Sequence, residues 1–141
     1  MTDLLHLFSE LVRLETELWN AVDARLRADH DLTLGRFETM QVISRRRPCR
    51  VNDVADELVI TIGGASKVVD RVEAAGHCRR RDNPDDRRSS LIELTPAGRR
   101  MLAAATTTVE DELRNLIGSA LPARALQQLS TTLSTLRQRE G

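Results

Sequence analysis

The chain has 141 residues, 40% hydrophobic and 30% charged, with one Trp, two Phe and no Tyr. That is one domain-sized unit whose core must be Leu, Val, Ile and Ala, and it is too poor in aromatic rings to serve as a stacking platform for single-stranded nucleic acid. The formal net charge is zero, yet residues 45–100 hold 13 Lys and Arg against 9 Asp and Glu, so basic charge is gathered where a polyanion partner would need it.

Residues 3–30 read as one long helix. Leu4, Leu7, Leu11, Leu14 and Leu18 recur at spacings of three and four, followed by Val22 and Leu26, and make a narrow apolar stripe that needs something to pack against. Thr33 is the expected N-cap of a second helix carrying Phe37, Met40 and Ile43 inward, closed by "RRRPCR". "VNDVADEL" is a short amphipathic helix, with Asn52 as an expected cap because Arg50 stands at the cap position. "VI" is a turn. Thr61 then caps a third short helix that ends before Gly76.

"HCRRRDNPDDRRSSLIELT" reads as two strands, from His77 to Arg81 and from Ser89 to Leu94, around a turn at Pro84. Thr95 and Pro96 start a further helix, as N-cap and first helical residue. Its apolar stripe runs through Met101, Leu102, Ala105, Val109, Leu113 and Leu116, with Gly118 and Pro122 as punctuation. The last helix, to about 139, repeats Leu126, Leu129, Leu133 and Leu136.

A short helix, a turn, a second helix and an arginine-rich hairpin compose a winged helix-turn-helix. In such a fold the second helix enters the major groove, the hairpin reaches the minor groove, and flanking arginines neutralise phosphate. "TIGGASKVVDR" at 61–71 is not a phosphate-binding nucleotide loop, because no strand precedes it and the glycines are adjacent. No Ser/His/Asp or Cys/His set, paired carboxylates or metal-ligand spacing is legible, so no enzyme, cofactor or metal is expected. Cys49 and Cys78 form no CxxC and are expected to be free thiols. No secretory leader or membrane-spanning run is read, which predicts a cytoplasmic protein with no membrane partner.

"DNPDDRRSSLIELTPAG", residues 82–98, resembles the wing signature of the MarR (multiple antibiotic resistance regulator) family of transcription factors. Asp86 and Arg88 stand on its Asp-x-Arg, and Leu94, Thr95 and Gly98 on its Leu-Thr-x-x-Gly; "VVDRVEAAGHC" resembles the end of the family's recognition helix. The resemblance implies a mainly α fold with a small β-wing and one MarR-type domain over 1–141. Residues 3–30 and 96–139 would form the dimer, and 33–95 the DNA-binding lobe. It implies a homodimer on a pseudo-palindromic double-stranded operator, acting as a repressor displaced by a small-molecule effector. Thr61, Gly63, Gly64, Ser66, Lys67 and Arg71 would present the recognition helix to DNA. Arg88 would enter the minor groove with its guanidinium held by Asp86, and Arg87 would meet phosphate. An effector pocket is expected near Arg13, Trp19, Phe37 and Met40. The competing expectation is a ligand-binding or oligomerisation module with a vestigial DNA lobe, acting through protein contacts.

Overall fold

The computed structural model describes residues 1–138, so the last predicted helical position, 139, lies outside the described residues. Helix α1 spans Leu4–His30, α2 Leu34–Arg45, α3 Val51–Leu58 and α4 Ile62–Ala74. Strands β1 (Cys78–Asp82) and β2 (Ser90–Leu94) follow, then α5 (Pro96–Leu113), a π-helical turn (Arg114–Gly118) and α6 (Ala123–Arg137).

The helix starts follow from local hydrogen-bond chemistry. The first amides of a helix lack intrahelical acceptors, and short side-chain oxygens supply them. Asp3 Oδ1 accepts from Leu5 and His6, Thr33 Oγ1 from Arg36, Thr61 Oγ1 from Gly64, and Thr95 Oγ1 from Gly98. Helix α3 departs from the expected cap at Asn52. The Asp53 carboxylate reaches back to the Arg50 N–H at 2.9 Å instead, and also accepts from Arg46 at 2.9 Å.

The two strands pair antiparallel, Cys78 opposite Leu94 and Arg80 opposite Ile92, with Cys49 bridging to Ile92 on the other side of β2. Both strands begin one residue later than the sequence pattern suggests. His77 is held at the corner instead, its carbonyl accepting from the Thr95 N–H at 3.1 Å. The same corner explains Gly98: a Cβ there would sit 1.9 Å from the His77 carbonyl oxygen, so α5 approaches the α4–β1 turn as closely as backbone permits. Gly76, at φ 82°, supplies the left-handed residue that closes α4.

Leu26, Met40, Val42, Ile43, Val54, Val69, Val72, Ile92 and Leu94 form one core joining α1, α2, α3, α4 and the wing. Full burial of each such side chain stabilises the fold by about 1.5–3 kcal/mol. Helix α1 joins this core only through its C-terminal half, where Val22 and Leu26 are buried. Its Leu4, Leu5, Leu7, Phe8, Leu11 and Leu14 are exposed, as are Leu129, Leu133 and Leu136 of α6. Arg25 ties α1 to α5, bonding Asp111 at 3.2 Å and Glu112 at 3.0 Å. The expected single helix from Pro96 gives way after Leu113 to a π-helical turn, which carries the chain to Gly118 and the next helix. Among the described residues no helix is long and apolar enough to cross a membrane.

Candidate nucleic-acid interface

Helix α4 buries Ala65, Val69 and Val72 against the core, which turns Ile62, Gly63, Lys67 and Arg71 outward. Gly63, Lys67 and Arg71 lie four apart and therefore on one face. Gly64 and Ser66 are half-buried at its edge, and Thr61 is consumed in part by its cap. The glycines are not demanded by the protein's own packing. A Cβ at Gly63 meets nothing within 4 Å, and one at Gly64 meets only the Thr61 hydroxyl at 3.1 Å. The turn before the helix holds Val59 at φ 55°, a left-handed conformation that a β-branched residue rarely adopts.

The wing loop is organised by Asn83, the residue before Pro84. It is buried; its Oδ1 accepts from the Asp85 N–H at 3.0 Å and its Nδ2 donates to Ser89 Oγ at 3.2 Å. Asp86 does not hold the Arg88 guanidinium. Its Oδ1 accepts from the Arg88 backbone N–H at 2.9 Å, so it shapes the loop and leaves the arginine head free. Three of the predicted helix and wing residues share one cleft of about 420 Å³, Ser66, Asp86 and Arg88 lining it with Arg50, Asn52 and Arg80, while Thr61, Gly63, Gly64, Lys67, Arg71 and Arg87 lie outside it.

Ion pairing sorts the basic residues into two sets. Arg45 pairs with Glu57, Arg46 with Asp53, and both Arg79 and Arg81 with Glu93. Arg80 pairs with Asp70 at 2.7 Å and Glu73 at 2.9 Å, fastening β1 to α4. Asp70 is thereby held by Arg80 and not by its sequence neighbour Arg71. The Arg45 guanidinium holds Glu57, and the Arg79 guanidinium holds Glu93, below the usual carboxylate range. Most of the two arginine runs flanking the motif is thus internal scaffolding. Lys67, Arg71, Arg87 and Arg88 are exposed and have no carboxylate partner among the described residues.

Cys49 and Cys78 are buried free thiols, and burial pushes each up to about 11. A second cleft, about 660 Å³, opens between α1, α2, α5 and α6 and includes Trp19 and Phe37. Arg13 and Met40 are not part of it. Arg13 lies on an outer groove of α1 with Glu10 and Glu17, and Met40 is fully buried in the core.

A three-helix lobe with a two-stranded wing and a free-cation face is the architecture of winged helix-turn-helix transcription regulators. Residues 32–90 match the MarR family model, and the chain belongs to that family. It is 33% identical over 101 residues to the uncharacterized protein Rv2011c of Mycobacterium tuberculosis, covering 72% of this chain and 69% of that protein. It is 35% identical over 75 residues to the HTH-type transcriptional regulator TtmR of Methylorubrum extorquens, a match that covers 52% of this chain but only 38% of TtmR. The fold superposes on that of Sco3205, a MarR family transcriptional regulator from Streptomyces coelicolor solved in complex with DNA. The TM-score is 0.85 at 21% identity, over 94% of this chain and 84% of that one.

Proposed function

We propose that the protein is a homodimeric, sequence-specific regulator that binds a pseudo-palindromic duplex operator and represses until a small molecule releases it. Residues 33–95 would form the DNA-binding lobe, while 3–30 and the chain from 96 onward would form the dimer. The observation that carries this reading is the sorting of the cations. Among the basic residues left without carboxylates, Lys67 and Arg71 lie on the outward face of α4 and Arg87 and Arg88 in the wing loop, so that helix and wing each present a free pair. A duplex phosphate array neutralises such charges and releases its own counterions in exchange.

In the dimer the two α4 helices would enter successive major grooves about 34–36 Å apart. Thr61, Gly63, Gly64, Ser66 and Lys67 would form the leading edge, with Ile62 placed to meet a thymine methyl. Arg88 would enter the minor groove from the wing, and Arg87 would take phosphate. The exposed leucine stripes of α1 and α6 support the dimer, because an apolar strip this continuous is costly in water. The cleft beside Trp19 supports the effector. A ligand wedged between the dimer helices and the DNA-binding lobe would change the spacing of the recognition helices and spoil simultaneous docking.

The test is a gel-shift titration against the DNA upstream of the coding sequence. Arg88→Ala is expected to weaken binding by about 1–3 kcal/mol if it reads the groove. Lys67→Ala is expected to weaken binding and to flatten its steep dependence on salt. Affinity unchanged in both variants and indifferent to salt would favour the competing reading, a ligand or oligomerisation module with a vestigial DNA lobe.

A further inference from the structure

We infer that the cleft between α1, α2, α5 and α6 takes an amphipathic organic cation, a protonated or quaternary amine or phosphonium carried on an apolar body. This rests on the ligand-responsive reading above and adds to it the chemical class of ligand. At about 660 Å³ in the single chain the cleft lies in the usual range for small-molecule sites, and its wall borders the proposed dimer seam at Leu11, Leu14 and Leu133. Its walls are leucines and valines with Trp19 and Phe37, two of the three aromatic residues in the whole chain.

Apart from the indole N–H of Trp19, the polar groups among its lining are Gln41 and two carboxylates, Glu15 and Glu38, and no Lys, Arg or His among the described residues lines it. Among the described residues, every other carboxylate that is not fully exposed carries an arginine partner. Asp23 has Arg27, Asp53 has Arg46, Glu57 has Arg45, Glu73 has Arg80, Glu93 has Arg79, and Asp111 and Glu112 share Arg25. Glu38 alone is half-buried without one, and Glu15, also unpaired, faces the same space.

Burial raises the Glu38 carboxyl above its ordinary value; Arg45, committed to Glu57, only partly opposes this, and Glu15 adds to it. A half-buried carboxylate in an apolar wall rejects an anion by repulsion, and no cationic side chain among the described lining residues offsets it. A cation gains from both carboxylates and from the faces of Trp19 and Phe37.

Trp19 is the only tryptophan, so its fluorescence reports the cleft directly. Tetraphenylphosphonium and tetraphenylborate are nearly the same shape with opposite charge. In sodium buffer, phosphonium is expected to produce a saturable change in Trp19 emission at least about tenfold tighter than borate. Glu38→Gln, with folding checked by circular dichroism, is expected to weaken phosphonium binding by about tenfold and Glu15→Gln by less. Borate binding as tightly as phosphonium to the unaltered protein overturns the inference, as does a folded Glu38→Gln protein that binds phosphonium undiminished. A gel shift run with phosphonium separates the two claims. Binding at Trp19 without release of DNA upholds the ligand class and removes the effector reading.

Discussion

Two glycines, Gly63 and Gly98, answer to opposite constraints although each lies near a helix N-terminus. Gly98 is held by internal crowding, since any Cβ collides with the His77 carbonyl. Gly98→Ala should destabilise the protein by about 1–3 kcal/mol in chemical denaturation, because backbone rather than a flexible side chain must move. Gly63 has open space where its Cβ would be. Gly63→Ala should stabilise the fold by up to about 1 kcal/mol through helix propensity. If the glycine is there to let DNA come close, the same variant should lose operator affinity by about tenfold or more. A stabilised protein with unchanged affinity would remove that role from Gly63. Ile62 adds a reading of its own. Replacing thymine by deoxyuridine throughout the probe deletes only the 5-methyl groups, and should weaken binding by the intact protein more than by Ile62→Ala.

At the scale of the element, the wing is a small sheet pinned from three sides. Cys49 bridges to its outer edge at Ile92, Arg80 anchors it to α4, and Asn83 ties its loop. The Cys49 and Cys78 thiols keep their protons to about pH 11 in the folded chain, whereas in the unfolded chain they release them from about pH 9. Over that window the unfolded state holds fewer protons, so stability should fall as pH rises from 9 toward 11. A Cys49→Ser, Cys78→Ser pair should show a shallower fall, and Ellman's reagent at pH 8 should reach either thiol only after denaturant is added. The hairpin itself was legible in the sequence because Pro84 and the neighbouring Asp and Asn residues mark a turn between two runs. Its register was less so, since the Thr95–His77 contact that delays β1 joins residues eighteen positions apart. The left-handed turn at Val59 gave no signal, for neither glycine nor asparagine marks it. The split between scaffolding and free arginines was also hidden, because a run such as "HCRRR" looks the same whether Glu93 lies across the sheet or not.

For the whole molecule, the exposed stripes on α1 and α6 are the surfaces on which the proposed dimer rests. Leu4→Glu with Leu7→Glu should yield a monomer by light scattering at micromolar concentration. That protein should keep its core, since Val22 and Leu26 are untouched, and should lose tight operator binding because one recognition helix reads only half a site. A double variant that stays dimeric would place the contact elsewhere. The leucine periodicity made the stripes themselves visible at once in the sequence. The location of the cleft was only half visible: Trp19 and Phe37 face it, but the sequence could not tell that Arg13 turns outward or that Met40 is swallowed by the core.

The zero net charge is itself a working property once its layout is considered. The basic surplus falls between 45 and 100 and the acidic surplus in the remainder of the chain. Such a molecule is a dipole rather than a point charge. A line of phosphates exerts little overall pull on it but a strong torque, turning its basic end toward the duplex before contact. It should therefore arrive already oriented, and added salt, which screens the torque and competes with the phosphate contacts, should slow that arrival and loosen the random encounters alike.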